Sequence, residues 1–188
     1  IGSSLVGSEM CIRDRLKRPQ YILEIGTFTG YATICLAQGL PPDGQIHTIE
    51  ANPELAYIIK KYLKKAAIED LVTLHLGRAE DIIPSLDINF DIVFLDAGKL
   101  DYAHFYDLVI DQLTVEGLLI ADNVLWSGKV VQGERDKDTR ALHAFNQKIL
   151  DDPFLQDLAR EINIESAKLA RRAGDQASNN DGRRRYVA

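Results

Sequence analysis

The chain has 188 residues, enough for one domain with a substantial core and too few for two comfortable ones. Hydrophobic residues make up 46% and charged residues 27%, the balance of a soluble globular protein, and no apolar run approaches the roughly 20 residues that span a bilayer. The formal net charge of −6 argues against a nucleic-acid footprint, which needs clustered Lys and Arg, so small molecules are the expected partners, with no nucleic acid and no membrane. Cys11 and Cys35 make no disulfide framework and fit a cytoplasmic location; Cys35 falls on an apolar helical stretch, where a buried thiol is expected.

Residues 1–15, IGSSLVGSEMCIRDR, have no usable periodicity and lack the basic start and apolar segment of a signal peptide; they read as non-native or disordered. From there short apolar runs alternate with helical patterns, the signature of a parallel sheet wrapped by helices. YILEIG (21–26) is the first strand, followed by a helix over 31–40 that Gly39, Pro41 and Pro42 stop. QIHTIEA (45–51) is the second strand. Asn52 then caps a helix whose apolar face is Leu55, Ile58, Ile59, Tyr62, Leu63 and Ala66. LVTLHL (71–76) is the third strand, and a short helix runs to Pro84. FDIVFLDA (90–97) is the fourth; a helix over 102–113 leads through TVEG into the fifth, LLIADNV (118–124). The near-continuous Val, Ile and Leu of the last two strands predict a sheet covered on both faces. The expected fold is therefore α/β, a doubly wound, mostly parallel sheet spanning 16–152, with 153–188 a divergent helical or disordered tail.

In such folds ligands bind outside the carboxyl ends of the strands. The first strand ends in EIGTFTG, where Gly26 and Gly30 let a nucleoside approach the backbone. The spacing is not GxGxxG, and the Lys and hydroxyl of a phosphate-cradling loop are missing, which disfavours a pyrophosphate ligand. Glu50, at the end of the second strand, is placed to accept ribose hydroxyls or, alternatively, to cap the following helix. A ribose without a pyrophosphate suggests S-adenosylmethionine. Asp96 ends the fourth strand and Asp122-Asn123 the fifth; at neighbouring strand ends they make an all-oxygen set for a hard cation such as Mg²⁺, while turn and cap roles explain each singly. His47, His75, His104 and His143 are scattered without ligand spacing.

The runs LEIGTFTGYATICLA, HTIEANPELA, FDIVFLDAGKLDY and LLIADNVLWSGKV resemble the successive motifs of the cation-dependent O-methyltransferases of the catechol and caffeoyl-CoA type, in their bacterial branch. The resemblance covers roughly 20–152 and implies a Rossmann-like class I methyltransferase fold. It also implies S-adenosylmethionine bound by Glu24, Gly26, Thr27, Glu50, Ala79 and Asp96, and a divalent cation, Mg²⁺ before Ca²⁺ or Mn²⁺, held by Asp96, Asp122 and Asn123. Lys99 matches the base, with Asp96 beside it in the catalytic set, the residues alone allowing also a surface lysine paired with Asp101 or Asp96; Trp126 is placed to stack on an aromatic diol acceptor or, alternatively, to pack. The chain departs from the pattern at Ala32, at Arg78 beside the adenine, and at Gly98, where an aspartate commonly meets the cofactor's amino group. The family's N-terminal helices, which help form a homodimer, have no counterpart ahead of Leu16, and its closing pair of strands has none in 154–174, so the resemblance implies a fold that could be incomplete at both ends, with a truncated chain of weak or no activity as the alternative.

Overall fold

The structure is a computed structural model, and it describes residues 18–132 and 136–151. The expectations for 1–15 and 153–188 lie outside the described residues. The chain divides into two units, 1–144 and 145–188, and the first carries the sheet and every residue discussed below.

Five strands form one sheet: β1 (Tyr21–Ile25), β2 (Gln45–Glu50), β3 (Val72–Leu76), β4 (Phe90–Leu95) and β5 (Leu113–Ala121). Their order is β3-β2-β1-β4-β5 and all four pairings are parallel, which is the doubly wound arrangement expected. Neighbours in sequence and in space run outward from β1 in one direction, then the chain crosses to β4, so the switch point lies between β1 and β4. Parallel strands bury both side-chain sets. Ile22, Ile46, Ile92 and Phe94 meet Leu36 and Ala37 of α1 (Tyr31–Ala37), while Leu23, Ile25, Ile49, Val93 and Leu95 are buried on the other face. Cys35 is buried on α1, as its apolar setting predicts.

The Asn52 cap forms as read: its Oδ1 accepts the Glu54 N–H at 3.0 Å, and a 3-10 turn over Pro53–Leu55 feeds α2 (Ala56–Lys65), which buries Ile59 and Leu63. The short helix α3 (Ala79–Ile82) and the longer α4 (Tyr102–Val109) follow β3 and β4. Several boundaries fall a few residues short, the first helix ending at Ala37, the fourth strand at Leu95 and the fifth at Ala121, and the largest difference precedes β5. The helix expected to reach Leu113 ends at Val109 with a 3-10 turn to Gln112, and Leu113 already pairs with Phe90 as the start of β5. The register then slips, since Ile92 pairs with Leu118, so the stretch read as a connecting turn is an irregularity inside the strand. Gly117 is required there because a Cβ would lie 2.5 Å from Leu113 Cγ.

Gly26 has φ +101°, and a Cβ on it would run into the carbonyl of Asp96. Gly26→Ala is therefore expected to cost at least about 2 kcal/mol of unfolding free energy, read by urea denaturation, through strain at positive φ and separation of the β1 and β4 ends. A midpoint unchanged from wild type would show that the two backbones separate without cost.

Candidate active site

A cavity of ≈ 400 Å³ opens at the carboxyl ends of the strands, within the range of roughly 300–1,000 Å³ usual for small-molecule sites. Ile25 and Gly26 at the end of β1, Ile49 and Glu50 of β2, Gly77 to Glu80 after β3, and Asp96 to Gly98 with Asp101 after β4 line it. Of the residues expected to hold a cofactor, Gly26, Glu50, Ala79 and Asp96 line this space. Glu24, Thr27 and Gly30 do not, although all three lie within one turn of it.

Glu50 does more than either role read from its position. It is buried; Oε2 accepts the Phe28 N–H and Oε1 the Asn52 N–H, each at 2.8 Å. One carboxylate thus pins the loop after β1 to the loop after β2, with lone pairs left for a ligand. Phe28, which sequence reasoning passed over, sits at φ 51° with its ring 67% exposed at the cavity wall. A non-glycine residue in that conformation costs free energy, and the Glu50 bond offsets it.

Glu24 is fully buried on β1. Its Oε2 accepts the hydroxyls of Thr33 and Thr48, both at 2.5 Å, and Thr27 meets Thr48 at 2.5 Å. With the Thr48 proton committed to Glu24, Thr27 must donate to Thr48, so a one-way chain of hydroxyls ties the loop to the carboxylate. Oε1 has no hydrogen-bond partner among the described residues. Burial pushes Glu24 up from 4.5 to about 7 against the pull of the two hydroxyls, with the charges of Asp96 and Glu50 adding to the rise.

The second group of expected residues gathers across β4 and β5. Leu95 pairs with Ala121, and Asp122 N–H donates to Leu95 O at 2.9 Å, so Asp96 and Asp122 stand about one strand spacing apart. Asp122 Oδ1 accepts the Asn123 N–H at 2.7 Å, and Asn123 takes φ 59°. Burial raises the Asp122 carboxyl above the usual range; the Asn123 bond opposes this and the charge of Asp96 adds to it. Lys99, almost buried, points back at the same place: its Nζ is 3.1 Å from Asp96 Oδ1 and 2.6 Å from the Tyr102 hydroxyl. Tyr102 was read only as the start of a helix. It is fully buried, and its hydroxyl lies 2.9 Å from Leu95 O, the last carbonyl of β4, and 3.1 Å from Asp122 O, just past the end of β5. Burial first, then the charges of Asp96 and Asp122, keep that phenol protonated by pushing it far above its ordinary value.

Two carboxylates that repel each other and an amide oxygen, all at strand ends, suit a hard divalent cation. Among the described residues no group of three or more His, Cys, Asp and Glu could hold a metal, so the donor set stops at two carboxylates and needs Asn123 or water to complete it. Trp126 is half-buried with φ 47° and does not line the cavity. The histidines are not all scattered: neighbouring strands bring His47 Nδ1 and His75 Nε2 to 3.0 Å. Ring centroids 5.2 Å apart mean a head-on N–H···N bond with little room for a metal between the nitrogens, and burial lowers both rings from 6.5. The pair was invisible in sequence because 28 residues separate its members.

This geometry has relatives. A family model described as O-methyltransferase matches residues 10–172. The chain belongs to that O-methyltransferase family. It is 35% identical over 121 residues to a catechol O-methyltransferase of Niastella koreensis, covering 62% of this chain and 55% of that enzyme, so the chain spans little more than half of that relative. A catechol O-methyltransferase of Mycobacterium tuberculosis is 30% identical over 158 residues, 84% of this chain and 72% of that one. Among solved structures, the O-methyltransferase TomG from Streptomyces achromogenes, in complex with SAM, matches with TM-score 0.74 and 34% identity over 79% of this chain and 69% of that one. Among the described residues of this family member no helix is long and apolar enough to cross a membrane.

The raised Glu24 carboxyl has a stability consequence. Its neutral form favours the folded state fully below pH 4.5, and that contribution is lost as pH rises through about 7. Urea denaturation across this window is expected to show a fall on the order of 3 kcal/mol in wild type that Glu24→Gln lacks. The same fall in both proteins would place its origin elsewhere.

Proposed function

We propose that the chain transfers a methyl group from S-adenosylmethionine to one hydroxyl of a catechol-like aromatic diol, with a divalent cation, Mg²⁺ first, held by Asp96, Asp122 and Asn123. The observation that carries this reading is the position of Asp96. It belongs both to the wall of the cavity and to the cluster with Lys99, so the two compartments meet at one carboxylate.

The cavity's electrostatics support a cationic nucleoside. Glu50, Glu80, Asp96 and Asp101 line it, and the guanidinium of Arg78 is taken up by Glu80. Glu50 keeps acceptor capacity for two ribose hydroxyls, Gly26 lets the ligand approach the backbone, and Asp96 stands as counter-charge to a sulfonium. When bound, the cation at Asp96, Asp122 and Asn123 supplies Lewis acidity that lowers the pKa of the acceptor's hydroxyls. Lys99 then takes the proton: the acceptor O–H bond breaks and an N–H bond forms at Nζ. S-adenosylmethionine, when bound, would supply the methyl group to that oxygen and would leave as the thioether. The relatives named catechol O-methyltransferase, and the SAM in the TomG structure, support donor and acceptor class alike.

The direct test is methyl transfer to catechol or caffeate, with Mg²⁺ and with excess chelator. Transfer should require the metal, and Lys99→Ala and Asp122→Ala should each lower kcat by at least about 100-fold. Chelator-resistant transfer would remove the cation from the mechanism, and no transfer under any condition would favour the truncated, inactive alternative. Gly98 offers a further test. A Cβ there meets only Asp101 Oδ2, at 3.7 Å, so an acidic side chain fits. Gly98→Asp is expected to tighten S-adenosylmethionine binding by roughly tenfold in calorimetry, the worth of one charge-assisted hydrogen bond. Weaker binding would mean that repulsion from Asp101 outweighs the new contact.

A further inference from the structure

The Tyr102 hydroxyl has one proton and several close polar neighbours, the Ala97 backbone N–H among them, and that mismatch decides the direction of the bonds. Leu95 O at 2.9 Å and Asp122 O at 3.1 Å are carbonyls and only accept. The single phenolic proton is therefore committed to them. Toward Lys99 Nζ, at 2.6 Å, the hydroxyl is left with a lone pair and acts as an acceptor. The other partner of Nζ, Asp96 Oδ1 at 3.1 Å, is also an acceptor.

Two acceptors fix the orientation of an amine. With two N–H bonds of Nζ drawn to Tyr102 and Asp96, the remaining tetrahedral direction at Nζ, where the amine carries its lone pair when it acts as a base, is fixed. Were Tyr102 free to donate, it would fill that lone pair and remove the base. We propose, resting on the function above, that Tyr102 is a positioning residue which, by spending its proton on the ends of β4 and β5, holds the lone pair of Lys99 open to the acceptor's hydroxyl. The two carbonyl contacts hold the strand ends that carry Asp96 and Asp122, so base and cation ligands are set from one atom. Nothing in the sequence motifs assigns Tyr102 this role.

The test separates orientation of a base from simple packing. Tyr102→Phe keeps the ring and loses the oxygen. For catechol, whose hydroxyl must be deprotonated, kcat is expected to fall about 10- to 100-fold while S-adenosylmethionine affinity changes less than about twofold. For a nitrocatechol, already ionised at the assay pH, the loss should nearly vanish, because no base is needed. In a Lys99→Ala background Tyr102→Phe should cost nothing further. Equal losses for both acceptors, or a full additional loss without Lys99, would overturn the assignment. If the phenylalanine variant fails to bind S-adenosylmethionine, a fluorotyrosine at 102, the same shape with a weaker acceptor oxygen, should reproduce the acceptor-dependent loss, and an acceptor-independent loss overturns the proposal. A wild-type chain that transfers no methyl group overturns the proposed function and this role with it. A wild type that transfers, matched by an equally active variant, overturns only the role of Tyr102.

Discussion

At the carboxyl ends of β1 and β4 two backbones run so close that no Cβ fits between them. Gly26 meets the carbonyl of Asp96, while Asp96 N–H donates to Ile25 O at 3.0 Å and Gly26 N–H to Ile49 O at 3.0 Å. Three strand ends are thereby locked at the place where the strand order reverses. The cavity exists because the helices leave in opposite directions from this point, and Asp96 stands on its wall because the chain turns immediately after the contact. A larger residue at 26 would move the wall, the carboxylate and the Lys99 cluster together.

Around that lock the polar groups are arranged so that most buried ones are shared between elements. Glu50 holds two loops, the Glu24 hydroxyl chain joins β1, β2 and α1, and Tyr102 joins β4, β5 and Lys99. Buried hydrogen bonds of this kind contribute little net stability each, but leaving one partner unmet costs more, so each network restricts its elements to one arrangement. Among the described residues the exceptions are Gln112 Oε1 and Glu24 Oε1, and at Glu24 the lack of a partner goes with a carboxyl that burial holds close to neutral pH. Charge is concentrated where the strands end and almost absent between them, which is what a buried parallel sheet permits.

Much of this was legible in the chain itself. The alternation of apolar runs and helical faces determined an α/β sheet, because burial on both faces demands continuous Val, Ile and Leu in strands such as β4. Polar residues at the run ends marked Glu50, Asp96, Asp122 and Asn123, since a parallel sheet has only its strand ends to offer to water and ligands. Asn52 announced its cap by type and position. Local pattern failed where pairing decided the outcome: residues 114–117 look like a turn, yet β4 draws Leu113 into the sheet and makes them an irregularity within β5.

Tertiary structure alone decided which residues share a place. The meeting of His47 with His75, the double duty of Glu50, the burial of Glu24 and Thr27 beside rather than on the cavity wall, and the hold of Tyr102 on Lys99 all cross between elements. A side chain's type states what bonds it can make, and the sequence spells that out. Which partner it meets, and which of two groups must donate, depends on strand order and register, and those are properties of the packed sheet.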